Sequence, residues 1–461
     1  MRRDENNSTC HSSISCFQLS PLWSGNCWLL ALLCPLFFVQ CESADFDSSR
    51  LDELCRYQLV EWNEDLTEVI VEDIFTPPVA SRIYAYPNIA AYEILRLQQP
   101  SLRSLVGQLH GLDSLPKATP DVYLPLAAGI AFARVGRALV FGQEKMEARE
   151  KEYLEKVQSM GMPNKVYQQS VDYGQQVAAH VIAWAEKDGY LERTAKPQYM
   201  LEEDAALWKP TPPAYMPAIE PHWNSLRTFV LDSLQAFRPL RPTHFDTLKG
   251  SEFYEESLEV YQVVRQLDEE QTEIAKFWDC NPNVAHVKGH LTFFDQKISP
   301  GGHWVSIAGI VIRNEQMEMV ESARVLAVLC LTLADAFISC WDEKYNSSVI
   351  RPETYINRYI DPDWKPLLQT PAFPEYTSGH SVISSAAANM LTHLIGDQVN
   401  FIDSTEVKYG LPARSYQSFL QAADEAAISR LYGGIHYRPA IDNGLDQGKN
   451  IGQYIINQLD I

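Results

Sequence analysis

Beyond residue 50 the apolar positions recur mainly at helical spacing. The run LDELCRYQLVEWNEDLTEVIVEDIF (51–75) predicts a helix, ended by Pro77 and Pro78. Residues 122–142, 144–161 and 166–190 read the same way, with Gly or Pro as punctuation. Residues 191–225 are rich in Pro and polar side chains and predict a long loop, and a second helical set is expected from about residue 226. The most apolar stretch, Val320 to Trp341, is interrupted by Glu321, Arg324 and Asp335, which makes it a buried core helix rather than a membrane span. Val382 to Leu394 has helix-compatible composition, with Thr377 and Ser378 as N-cap candidates. Strand-like alternation is scarce, and no internal repeat or phosphate-binding glycine pattern is present. The expected fold class is all-α: helical bundles, with an N-terminal helical region at 45–225 and a C-terminal one at 226–461.

The first 41 residues differ from the rest. Arg2 and Arg3 precede an apolar run, Cys27 to Val39, of signal-peptide length, and Cys41 follows at once. This resembles a lipoprotein signal in which Cys41 becomes the lipidated first residue, although Gln40 stands where a small residue is usual. The expectation is an exported protein: periplasmic, extracellular or a cell-envelope lipoprotein. Five of the nine cysteines lie in this segment, and no CxxC pair occurs, so neither a zinc ribbon nor a dense disulfide framework is indicated. A net charge of -21 argues against a nucleic-acid partner and against an anionic membrane surface. Any basic site must then be a local pocket in an acidic protein.

Three short clusters in the last 120 residues fit such a pocket. KYNSSVIRP places Lys344 and Arg351 seven residues apart; PEYTSGHS carries Ser378, Gly379 and His380; SRLYGGIHYRP carries Arg430 and His436 across Gly433 and Gly434. Two guanidinium groups and an ammonium would neutralise a tetrahedral oxyanion, and Ser378 with the Gly379 N–H would occupy further oxygens at a helix N-terminus. One histidine could bond the central atom while the other moves protons at an apical oxygen. Phosphate or vanadate suits a cage of this charge. Taken singly, each cluster has a plainer reading: surface charges at a helix end, a capped helix with an incidental histidine, or Arg430 paired with Asp424 or Glu425 and a core His436.

The joint pattern K-x6-RP, then SGH closely after a proline, then SR-x5-H resembles the phosphatidic acid phosphatase type 2 and vanadium haloperoxidase superfamily, over roughly residues 300–461. The resemblance implies a helical-bundle fold with a bound vanadate or phosphate in the C-terminal bundle. Lys344, Arg351, Ser378, Gly379 and Arg430 would hold the oxyanion, His436 would be its axial ligand or a nucleophile, and His380 the acid–base residue. The leading expectation is a vanadium-dependent haloperoxidase that oxidises halide with hydrogen peroxide. A soluble exported acid phosphatase acting on a phosphate ester through phosphohistidine is the alternative, and a non-catalytic oxyanion-binding lipoprotein a third.

Two departures qualify it. The second motif reads Tyr-Thr-Ser-Gly-His, and the position four residues after His436, where family members often carry an orienting Asp, is Ala440, with Asp442 the nearest acid. His286 and His290, four apart, could bind a metal on a helix, with His303 as a third partner; Gly289 weakens that helix, and lining the mouth of the site is the better reading.

Overall fold

The computed structural model describes residues 48–460, so the expected targeting segment, Cys41 included, lies outside the described residues. The chain is built from helices α1 (Ser49–Cys55), α2 (Gln58–Glu72), α3 (Pro77–Leu95), α4 (Leu124–Leu139), α5 (Gln143–Ser159) and α6 (Asn164–Ala185), then α7 (Glu252–Arg265) and α8 (Glu269–Phe277). After a hairpin, β1 (Ala285–Lys288) and β2 (Leu291–Phe294), come α9 (Pro300–Asn314), α10 (Met319–Ser347), α11 (Pro352–Tyr359) and α12 (Gly379–Ile395). A second hairpin, β3 (Phe401–Asp403) and β4 (Arg414–Tyr416), precedes α13 (Phe419–Tyr432) and α14 (Arg438–Gln458). Both hairpins are antiparallel two-stranded ribbons, so the all-α expectation holds.

Three expected boundaries are corrected. The first helix breaks at Arg56 and Tyr57, and Pro77 and Pro78 open α3 instead of closing the helix before them. Proline suits a first turn because the N–H it lacks would have no partner there. The second helical set begins at Glu252, not near 226, apart from a short 3-10 turn at Leu234–Phe237. Pro239 and Pro242 oppose a helix here, and the buried Asp335 carboxylate accepts from the N–H groups of Phe229, Val230 and Leu231 at 2.6, 2.8 and 3.0 Å. Those donors therefore serve a side chain rather than a helix.

Helix α10 runs through the centre, packing on α3 and α12, and 94% of its most apolar window is buried. Its length and composition would suit a membrane; its surroundings are protein. One core cluster joins side chains from both sides of residue 225.

Helix α14 lies unusually close to α12, because Gly444, Gly448 and Gly452 recur at four-residue spacing on the shared face. A Cβ on Gly448 would stand 2.2 Å from the Val382 carbonyl oxygen. The close approach lets Ser378 N–H donate to the Ala440 carbonyl at 2.9 Å, which pins the start of α12 where the site is built.

Candidate oxyanion site

The long helix α10 delivers Lys344 from its last turn, and Arg351 caps the N-terminus of α11, with Pro352 at its first position. Ser378 is the N-cap of α12: its Oγ accepts from Ser381 N–H at 3.3 Å, leaving its own O–H free to donate. Gly379 and His380 follow in the first turn, where backbone N–H groups lack helical acceptors and the dipole favours anions. Arg430 lies in the last turn of α13. Gly434, at φ +76°, then reverses the chain so that Ile435 and His436 return to Arg351.

The three cations are completely buried, yet none has a carboxylate at ion-pair distance among the described residues. Lys344 Nζ donates to the carbonyls of Pro374, Glu375 and Thr377. Arg351 donates to the carbonyls of Phe373 and Ile435, both at 2.8 Å, and its Nη2 has no protein partner. Arg430 donates to the carbonyls of Ala275 and Trp278 at 3.3 and 2.7 Å and to Ser429 Oγ at 2.9 Å. Burial pulls Lys344 down to about 8 and Arg351 down to about 10, and lowers Arg430 as well. Buried charges are ordinarily paired, so three without a counter-charge, Arg430 on the cavity wall with Arg351 and Lys344 behind it, describe a receptor for an anion.

His436 is also buried, and its hydrogen bonds fix its tautomer. Arg351 Nη1 stands 3.3 Å from Nε2, and a guanidinium can only donate, so Nε2 carries a lone pair. Nδ1 then carries the proton and donates to Glu375 Oε1 at 2.8 Å; that oxygen also accepts from Tyr437 N–H at 2.9 Å. Burial, then Arg351, Lys344 and Arg430, hold His436 well below the usual histidine range, so the ring is neutral. Burial raises Glu375 to about 8, against the pull of Arg351 and Lys344. Neither Ala440 nor exposed Asp442 orients the ring: the carboxylate comes from Glu375, inside the second motif itself.

His380 faces the same chamber. Its Nε2 is shielded from solvent and has no hydrogen-bond partner; burial, then the Arg430 charge, pushes the ring well below its ordinary value. The cavity, about 30 Å³, is lined by Gly379, His380, Arg430 and His436 together with Phe337, Trp341 and Phe373. A cavity that just holds a water needs about 10–15 Å³, and sites for drug-sized molecules about 300–1,000 Å³, so this one suits small inorganic species.

Of the seven predicted residues, Gly379, His380, Arg430 and His436 line the cavity, Arg351 and Ser378 stand directly behind His436 and Gly379, and Lys344 lies further back. Its ammonium sits behind Gly379, whose Cβ would lie 3.9 Å from Lys344 Cε, and all three of its donors are committed to the 374–377 turn. His286 and His290 take no part: His286 lies on strand β1 rather than a helix, pairs with Asp295 at 2.8 Å, and neither histidine lines the cavity. Glu375 and the buried Asn281, whose Nδ2 has no partner at the cavity wall, went unassigned from the sequence.

Comparison with known proteins agrees with this geometry. Residues 324–460 match the family model described as the VCPO second helical-bundle domain. A bacterial vanadium-dependent iodoperoxidase is 46% identical, with a TM-score of 0.83 covering 87% of this chain and 96% of that one. The chain belongs to the vanadium-dependent haloperoxidases. Holo and apo structures of a bacterial vanadium-dependent chloroperoxidase, both 14% identical, share the fold at TM-scores of 0.59 and 0.62, covering 84% and 83% of this chain and 93% and 94% of theirs. No curated protein sequence matches the chain. The haloperoxidase is an enzyme whose cofactor is vanadate, and the comparisons favour this over the phosphatase and the non-catalytic readings. The groups fit the cofactor: Arg351 Nη2 offers N–H without a protein partner, His436 Nε2 a lone pair, and His380 Nε2 a buried nitrogen with no hydrogen-bond partner.

Proposed function

We propose that this haloperoxidase oxidises iodide with hydrogen peroxide, with vanadate bonded through His436 Nε2. The observation that carries the site assignment is the set of three buried cations held only by neutral acceptors, around an imidazole whose free nitrogen is fixed by Glu375 and Arg351. Vanadate, when bound, supplies a Lewis-acidic centre that takes up peroxide and makes it reactive toward halide. Arg351 Nη2, Arg430, Ser378 Oγ and the Gly379 N–H would hold its oxygens; Lys344 contributes charge and ties down the turn before α12. His380 Nε2 holds and releases a proton at the chamber face, and a bound anion raises its basicity by offsetting the cations around it.

Iodide is the halide that suits the chamber. The aromatic wall of Phe337, Trp341 and Phe373 offers little to rehydrate an entering anion, and iodide is the least strongly hydrated of the common halides. The 46%-identical relative named an iodoperoxidase supports this choice. The test compares kcat/KM for iodide, bromide and chloride on vanadate-loaded enzyme. Iodide is expected to lead; a preference for bromide or chloride, or no halide oxidation by folded and loaded enzyme, overturns the proposal.

The reading includes export, supported by Arg2, Arg3 and the apolar run ending before Cys41. Mass measurement of the mature N-terminus tests both cleavage and a lipid on Cys41.

A further inference from the structure

Beside the oxyanion chamber lies a second buried polar cluster that the mechanism does not use. Cys280, three residues after α8, contributes to the chamber wall with its neighbours Asp279 and Asn281. Behind it, His303 in the first turn of α9 points Nδ1 at Cys280 Sγ, 3.2 Å away, and at Glu406 Oε1, 3.7 Å away. All three side chains are buried, and their ligand atoms lie within 4.8 Å of one another. Glu406 Oε1 has no hydrogen-bond partner, although a buried carboxylate oxygen ordinarily requires one. The nearby Lys297 does not fill that need by ion pairing, because it pairs with Asp279 at 2.5 Å.

The other side of the imidazole decides which nitrogen a metal would meet. His303 Nε2 is 2.7 Å from Asp403 Oδ2 and 2.7 Å from Thr405 Oγ1, and the Thr405 hydroxyl is committed to Asp403 Oδ1 at 2.6 Å. Both partners therefore accept, so Nε2 carries hydrogen. Against burial, Asp403 and Cys280 hold His303 well above the usual histidine range, so a metal at Nδ1 would displace the proton that faces the thiol and the orphaned carboxylate. A histidine that binds a metal through one nitrogen and donates to a carboxylate through the other is the usual second-sphere arrangement of metal sites.

We propose that Cys280 Sγ, His303 Nδ1 and Glu406 Oε1 bind a divalent cation of the zinc class, with Asp403 holding the histidine. Thiolate, imidazole and carboxylate together select a borderline-soft ion, and zinc has no redox chemistry to interfere with a neighbouring peroxidase site. Tetrahedral zinc at ordinary bond lengths places S, N and O ligand atoms roughly 3.3–3.6 Å apart, a spacing that the 3.2 and 3.7 Å separations bracket. Binding releases the thiol proton and the proton on His303 Nδ1, so the site loads more tightly as pH rises. The ion would tie the loop after α8, helix α9 and the loop after β3 together at the chamber wall.

The test uses the full chain freed of vanadate. Zinc uptake is measured by calorimetry and metal analysis, and cobalt loading is followed by its thiolate-to-metal charge-transfer absorption. About one zinc per chain and a cobalt charge-transfer band are expected. Cys280→Ser should abolish the band, Glu406→Gln should weaken zinc, and Asp403→Asn should weaken it about 10- to 100-fold. His436→Ala should leave zinc binding unchanged while vanadate binding is lost, which separates this site from the oxyanion cage. No zinc uptake by folded parent protein, or uptake that survives both Cys280→Ser and Glu406→Gln, overturns the proposal.

Discussion

Replacing Glu375 by Gln tests whether the orientation of His436 or the charge of the cage governs vanadate affinity. Gln keeps an oxygen that can accept from His436 Nδ1 and from Tyr437 N–H, now at 2.8 and 2.9 Å, so the fold should survive. Above the value of about 8 to which Glu375 is pushed, what changes is the charge of the acceptor. A hydrogen bond to a charged group contributes about 1.5–3 kcal/mol and a neutral one about 0.5–1.5, so the imidazole loses roughly 1–1.5 kcal/mol of anchoring. That corresponds to about tenfold in vanadate affinity, at the low end of the 10- to 100-fold typical when a metal-ligand histidine loses its carboxylate. The electrostatic effect has the opposite sign, because removing an anion from a cationic cage should tighten the binding of any oxyanion.

Sulfate separates the two, since it makes no bond to the imidazole. Titration calorimetry at pH 9, where Glu375 is ionised, of parent and Glu375→Gln with both anions is expected to show vanadate weakened about tenfold and sulfate unchanged or tighter. Melting temperatures recorded alongside exclude unfolding as the cause. Equal tightening of both anions would refute the orienting role of Glu375, and an equal loss of both would make it a structural residue only.

Four further outcomes are expected. His436→Ala should abolish vanadate binding, whereas His380→Ala should largely keep it and lower turnover by about 100- to 10,000-fold, checked by vanadate titration and steady-state iodide oxidation. Sulfate affinity should fall as pH rises through about 8, because Lys344, held down at about 8, loses its positive charge there while Glu375, pushed up to about 8, gains a negative one; calorimetry from pH 6 to 9.5 should show up to about a tenfold loss per unit for each group. Gly448→Ala should cost about 1–3 kcal/mol in urea unfolding, since its methyl would meet the Val382 carbonyl 2.2 Å away and force α12 and α14 apart. Lys344→Met should lower both sulfate affinity and the melting temperature, read by calorimetry and thermal unfolding.

Much of the site was legible in the sequence because it is assembled from three short motifs, each carried on a helix end that its own residues define. Ser378 as an N-cap, Pro352 opening α11 and the Gly433–Gly434 reversal are local signals. The fold class followed from apolar periodicity for the same reason. What could not be read were partnerships between distant segments. Glu375 stands 61 residues before His436, and only the packing of α12 against α14 brings its carboxylate to the ring. The signal was present, an acid within the SGH turn, but the family resemblance pointed to the position of Ala440. Asn281 and the cysteine–histidine pair at Cys280 and His303 carry no local pattern at all. The irregular stretch after Leu226 escaped because a distant side chain, Asp335, takes the place of helical acceptors.

Why the cage keeps a lysine that points none of its protons at the anion can be argued from magnitudes. The drop of Lys344 from 10.5 to about 8 means that holding its charge in the protein costs about 3 kcal/mol relative to water. Taken alone, that would make a neutral replacement stabilising, as is often found for buried ion pairs. The three carbonyls of Pro374, Glu375 and Thr377 change the sign: stripped of their common donor inside the protein, each costs about 1–3 kcal/mol, so the loss equals or exceeds the relief. Lys344 is therefore a structural part of the turn that aims Ser378 and Gly379, and its charge acts on the anion across Gly379 without a hydrogen bond. Arg351 differs, since its Nη2 has no protein partner and is available to an acceptor on a bound anion. Anion binding in turn offsets the burial of all three cations: an oxyanion at 100 times its Kd adds about 2.7 kcal/mol to the folded state. Stability and catalysis draw on the same buried charges, which is how a protein of net charge -21 maintains one strongly cationic chamber.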